Sequence, residues 1–179
     1  MESKNNKIIW TIGHSTRSLD EFLNLLSSVG ITQLVDVRSF PGSRKFPQFN
    51  KDNLATSLPK HDIKYIHLKS LGGRRKAKPE SQNKVWRHPS FRGYADYMET
   101  SAFKEALEDL KNLARQNNTA IMCAEAVWWR CHRSMVSDVL KAEGWKVMHI
   151  MGENNVQEHP YTKPAKIISG ELYYQEEKE

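Results

Sequence analysis

The chain has no long apolar run. Stretches such as Ile121–Cys123 last only a few residues, far short of the ~20 that a membrane-spanning helix needs. The first residues, Met1 to Lys7, carry charge but lead into no apolar h-region, so no secretory signal is expected. Cysteine is scarce. Two residues, Cys123 and Cys131, cannot make a disulfide framework, and the expected compartment is the cytoplasm. No internal repeat is visible, and 9 Gly with 7 Pro exclude a collagen-like or low-complexity chain. Membrane and extracellular roles are therefore set aside.

What is present is the composition of a packed globular protein, with 39% hydrophobic and 27% charged residues. A length of 179 residues suits one domain. The net charge of +6 is unevenly placed: Lys69, Arg74, Arg75, Lys76, Lys78, Lys84, Arg87 and Arg92 face one acid, Glu80. That single segment accounts for the basic excess. A solvated loop is the bland explanation. Segregated positive charge also suits a polyanion, and Trp86, His88 and Phe91, interleaved with it, favour nucleic acid or another polyphosphate.

Periodicity alternates strand and helix. Ile8–Ile12 reads as a strand ended by Gly13, and Ser18-Leu19-Asp20-Glu21 as a capping box opening a helix. Leu19, Phe22, Leu23, Leu26 and Val29 form its apolar stripe, and Gly30 its stop. Further strands are expected at 31–37, 65–68, 119–124 and 145–150. Helices are expected at 51–58, from Gly93 with a restart at Ser101, and at 131–143. The pattern predicts an α/β, three-layer fold: a mostly parallel sheet of about five strands with helices on both faces. The chain reads as a single domain, 1–179, with a basic loop insertion at 69–92 and an irregular C-terminal tail at 152–179. In such a fold, ligands sit at the carboxyl ends of the strands, where Gly13-His14-Ser15, Arg38-Ser39, Gly72-Gly73, Glu125 and Gly152 collect.

The densest chemistry lies in Cys123-Ala124-Glu125 and the residues through Ser134. Glu125, where a strand leaves the sheet, suits a general acid or base; an ion pair with Arg38 or Arg133 is the structural alternative. The N–H groups opening the next helix, with His132 and Arg133, could hold an anion. Three known constellations fail on spacing. A cysteine phosphatase needs five residues between nucleophile and arginine, whereas six separate Cys123 from Arg130, and the nearby carboxylate opposes a thiolate. A zinc deaminase needs a later Cys-x-x-Cys pair. Adjacent Cys131 and His132 seldom ligate one metal, and Cys123 fits inert packing. Asp36, an acid in an apolar strand, demands a partner, and alternation puts Arg38 on its side of the strand for a bidentate pair. His14 either caps the following turn or joins the site.

Thr11-Ile12-Gly13-His14-Ser15, Asp36-Val37-Arg38-Ser39 with Pro41 and Ser43-Arg44, Leu71-Gly72-Gly73, Tyr94-Ala95-Asp96-Tyr97-Met98, and Cys123-Ala124-Glu125 with Cys131-His132-Arg133 together resemble the bacterial and archaeal "domain of unknown function 488" family. The resemblance spans roughly residues 8 to 151, with Trp128 standing where the family expects a proline. It implies an α/β fold and a shared polar site, and brings no settled activity. A fainter similarity to rhodanese-like domains bears on architecture alone.

The expected function is an enzyme acting on nucleic acid or a nucleotide. Glu125 would be its acid/base group, assisted by Asp36 or His14. Substrate contacts are expected from Arg38, Ser39, Ser43, Arg44, Gly72, Gly73, Arg74, Arg75, Trp128, Cys131, His132 and Arg133. Base or glycosidic-bond chemistry is one possible class, since Trp86, Phe91, Tyr94, Trp128 and Trp129 offer rings for stacking; core packing explains Tyr94 and Tyr97 better. No cofactor, metal or membrane partner is expected, and the oligomeric state is left open. The alternatives are a non-catalytic nucleic-acid-binding module and a rhodanese-like thiol enzyme.

Overall fold

A computed structural model of the chain describes residues 7–175. Strands β1 (Ile8–Gly13), β2 (Gln33–Asp36), β3 (Lys64–His67), β4 (Thr119–Cys123) and β5 (Lys146–Gly152) run parallel in the spatial order β3-β2-β4-β1-β5. A sixth strand, β6 (Asn155–Glu158), pairs antiparallel with β5. Helices α1 (Leu19–Ser28) and α2 (Lys51–Ser57), with the 3-10 turn that follows α2, cover one face, burying Phe22, Leu26, Leu54 and Leu58 against Leu34, Ala120, Met122 and Ile150. Helices α3 (Pro89–Met98), α4 (Ser101–Gln116) and α5 (Arg133–Ala142) cover the other, where Tyr94, Phe103, Leu110 and Val136 meet Val35, Ile121 and Val147. Residues adjacent in one strand thus feed opposite cores, as the two-residue period of a strand requires. The fold is a three-layer α/β sandwich.

Local signals explain most helix starts. Ser18 Oγ accepts from the Glu21 N–H at 3.1 Å and Glu21 Oε1 from the Ser18 N–H at 3.2 Å, closing the expected capping box. The cap of α4 is Thr100 rather than Ser101: its hydroxyl accepts from the Phe103 N–H. Helix α3 starts four residues before Gly93, which sits inside it because a Cβ there would lie 2.0 Å from the Arg75 carbonyl oxygen.

That close approach ties the basic segment to the domain. Asp96 on α3 does the rest, accepting from the Lys78 N–H, Ser81 Oγ and Asn83 Nδ2 at 2.6–2.8 Å. Burial pushes its carboxyl up, but these hydrogen bonds outweigh it and hold the group below its ordinary value. Lys69, Arg74, Lys76, Lys78, Lys84 and Arg87 remain exposed. The segment is basic and pinned at once.

The stretch after Gly152, expected as an irregular tail, contains β6, β7 (Lys166–Ile168) and β8 (Glu171–Tyr173), the last two forming a hairpin. Strands of three or four residues are too short to display a period. The stretch is anchored by the buried Asp138 of α5, whose carboxylate accepts from His159 Nε2, the Thr162 N–H and hydroxyl, and the Tyr174 hydroxyl. His159 in turn contacts His149 of β5 at 2.8 Å, and His149 meets the Thr11 hydroxyl of β1 at 2.6 Å. This polar chain crosses the core from α5 to the centre of the sheet. Every member has a partner, as buried polar groups require.

Candidate functional site

The parallel strands bring their carboxyl ends to one rim. Beyond the end of β2, Arg38 folds back on Asp36: Nε and Nη2 donate to the two carboxylate oxygens at 2.9 and 2.7 Å. Asp36 is fully buried and also accepts from the Tyr65 hydroxyl at 2.6 Å, while burial and this carboxylate push the phenol's pKa up. Arg38 Nη2 donates further to the Phe49 carbonyl, and Nη1 to His14 Nε2 at 3.2 Å. His14 can accept there because its Nδ1–H donates to the Ser15 carbonyl at 2.9 Å. Burial, with Arg38 nearby, lowers its pKa and keeps the ring neutral. Its face stacks on Phe49 at 4.5 Å. Four of the five guanidinium N–H groups are thereby engaged, leaving one Nη1–H without a partner among the described residues. Asp36 and His14 have no donor or acceptor atom left over; they aim Arg38.

The loop after β4 is shaped from below. Arg133 is fully buried, and its Nη2 donates to the carbonyls of Glu125 and Ala126 at 3.0 and 3.1 Å. Gly13 lies against the same loop so closely that a Cβ would fall 1.6 Å from the Glu125 carbonyl oxygen. Backbone bonds from the His14 and Ser15 N–H groups to Cys123 and Ala124 complete the clamp. With its backbone held, Glu125 turns its side chain out. It is exposed and has no hydrogen-bond or ion-pair partner among the described residues.

A cavity of about 640 Å³ opens above this floor. Arg38, Ser39 and Phe40 line it from the segment just after β2, and Gly73, Arg74 and Phe91 from the basic segment and α3. Cys123, Glu125, Trp129, Arg130, Cys131 and His132 line it from the β4–α5 loop. Phe40 and Trp129 expose 63% and 52% of their surface, more than half of each residue, among the described residues with few such exposed rings. The Arg74 guanidinium lies over Phe40 at 5.1 Å. Tyr94 closes the back, its hydroxyl bound to the Leu71 carbonyl, as a core residue would be.

The cavity thus gathers Glu125, Arg38, Ser39, Gly73, Arg74, Cys131 and His132 from the expected set. The others lie elsewhere. Asp36, His14 and Arg133 sit behind the wall. Gly72 backs it, with no room for a Cβ beside Ser39 Oγ. Arg75 is half-buried, stacked on Tyr97 at 3.7 Å and donating to the Gly72 carbonyl. Ser43 holds a turn through the Lys45 and Phe46 N–H groups, next to the exposed Arg44. Trp128 is buried, stacked on His149 at 4.9 Å and 7°. Its neighbour Trp129 takes the cavity position. Phe40 and Arg130 join the site from outside the expected set; Phe40 has a signal in sequence, a large aromatic beside the Arg38-Ser39 pair.

Protonation of the buried histidines sets a pH limit. Burial lowers His132 to about 4, although its Nε2–H donates to the Val37 carbonyl, and lowers His149 to about 2. Both stay neutral when folded but titrate near 6.5 when unfolded. Stability is therefore at its full value above about 6.5 and falls as the pH drops through that value toward 4, by about 1.4 kcal/mol per pH unit for each histidine. Urea unfolding midpoints from neutral to mildly acid pH check this; a flat profile contradicts it.

The model of one family, the domain of unknown function DUF488, matches residues 18–140. The chain belongs to that family. The matched DUF488 span runs from the cap of α1 into α5, so it takes in Arg38, the basic segment and the whole β4–α5 loop, with His14 just ahead of it. No curated protein and no solved structure matches the chain. Among the described residues, no helix is long and apolar enough to cross a membrane.

Proposed function

We propose that this DUF488 chain is an enzyme acting on nucleic acid or a nucleotide, with the cavity at the strand ends as its site. One observation carries the reading: exposed rings, cations and a carboxylate without a partner among the described residues share one opening. Phe40 and Trp129 offer faces on which a base can stack, an interaction indifferent to base identity. Arg74 and Arg130, exposed and without ion-pair partners among the described residues, suit phosphate at the mouth. The single open N–H of Arg38 suits an anionic oxygen deeper in. Glu125 is the acid/base group. Asp36 and His14 serve as positioning residues for Arg38, and Arg133 as the support of the Glu125 loop.

Binding tests the substrate class directly. Fluorescence anisotropy with labelled single-stranded DNA and RNA is expected to show binding that weakens with salt. Reversing Arg74 and Arg130 together to Glu should reduce the slope of log affinity against log salt by roughly 0.7 for each single-strand phosphate that is no longer neutralised. These side chains are exposed, so the fold should hold; Arg75 is a poor choice, since it packs on Tyr97. No binding by the parent protein at low salt, or undiminished binding by the variant, sinks the proposal.

A further inference from the structure

We infer that Cys123 and Cys131 form a redox-active dithiol in the cavity wall, closed to a disulfide by low-molecular-weight disulfides of the glutathione class. The two sulfur atoms lie 2.8 Å apart, nearer than sulfurs pack without bonding or sharing a proton. Cys123 ends β4, Cys131 precedes α5, and both line the cavity, Cys131 partly exposed and Cys123 buried directly beneath it, so a small disulfide approaches the pair from the cavity side. Inert core packing explains one buried thiol. It does not explain two, from opposite ends of a nine-residue stretch, turned toward each other beside an open cavity.

The surroundings favour one thiolate. Burial opposes ionisation of Cys123, but the Cys131 hydrogen bond and the charge of Arg133 outweigh it and bring that thiol below its ordinary value. Burial and the neighbouring Cys123 then push Cys131 well up. Cys123 is the attacking sulfur and Cys131 the resolving one. Metal binding is the poorer use of the pair. His132 turns its Nε2 to the Val37 carbonyl, and among the described residues no group of three His, Cys, Asp or Glu is placed to hold an ion.

The exchange balances with that one co-reactant. The Cys123 thiolate attacks one sulfur of R–S–S–R, the S–S bond breaks, and RS⁻ leaves and is protonated. Cys131 gives its proton to solvent and attacks Cys123 Sγ, expelling the second RS⁻, which is protonated in turn. Two protein thiols are oxidised to one disulfide, and the small disulfide is reduced to two thiols. The bond formed would tie the two ends of the loop that carries Glu125, Trp129 and Arg130.

Intact-mass measurement after alkylation tests this on the full chain without nucleic acid, so it stands or falls apart from the proposed activity. Reduced protein incubated with excess oxidised glutathione is expected to lose both alkylatable thiols and to carry no lasting glutathione. Cys131→Ser should instead retain one glutathione on Cys123. The wild-type mass decides by itself if that variant fails to fold. Two thiols still alkylatable after unfolding, a lasting glutathione adduct on the wild-type protein, or a disulfide between two chains each overturn the inference.

Discussion

Exchanging Asp36 for Asn is expected to lower the unfolding free energy by about 3–5 kcal/mol, the loss seen when one partner of a buried ion pair is removed. Asp36 has no exposed surface and Arg38 only 8%, so solvent screens the pair little. The substitution keeps the side chain's shape. It leaves the guanidinium charge buried opposite a neutral amide, and the Asn amide group would confront donors where Asp36 accepts from Arg38 Nε, Nη2 and N–H and from the Tyr65 hydroxyl. For a chain of this size the midpoint should fall by roughly 6–20 °C. Calorimetry, or circular dichroism on heating, measures it. A change under about 1 kcal/mol would mean that the pair is relieved by water or rearrangement and does not hold the rim. The effect should reach the cavity too, since this fork orients the guanidinium of Arg38, which lines it.

Glu125→Gln is expected to do the opposite: leave the fold alone and remove the chemistry. The side chain is exposed and has no partner to lose among the described residues, so stability should stay within about 0.5 kcal/mol. The loop itself is held through main-chain carbonyls by Arg133, which the substitution does not touch. Oligonucleotide affinity should therefore persist, while turnover of the bound substrate falls by roughly two to four powers of ten, the usual contribution of a positioned acid or base. Single-turnover assays beside anisotropy separate the two quantities. Unchanged turnover removes the acid/base role from Glu125. Neither Asp36 nor His14 could inherit it in this geometry, because their polar atoms are occupied in aiming Arg38. Binding with no turnover by the parent protein favours a binding module instead.

Much of the architecture is legible in the sequence. Short β-rich runs mark β1 and β4, period-3.6 stripes mark α1 and α5, and the Ser18–Glu21 spacing announces its own hydrogen bonds. The fork between Asp36 and Arg38 also follows from alternation, since residues two apart on an extended strand share a side. Sequential strands separated by helices imply parallel pairing, and parallel pairing implies a common rim. These are local rules, and each depends on a handful of adjacent residues.

Direction in the irregular segments obeys no such rule. Nothing in Val127-Trp128-Trp129-Arg130 says that Trp128 turns inward to His149 and Trp129 outward to the cavity. That choice depends on a histidine twenty-one positions later in the chain and on the closeness of Gly13 beneath the loop. Arg133 reads as a phosphate ligand because its charge and helix-start position are visible in sequence; its burial under two carbonyls is not. His149 invites the same question as Asp36, being a polar residue in an apolar strand, but its partners His159 and Asp138 come from separate elements. The short strands after Gly152 are hidden for the same reason. Local periodicity determines which elements form and which face of each is apolar. Where a loop side chain points, and whether a charge is open or consumed, is decided by contacts between residues far apart in sequence, which exist only once the sheet has closed.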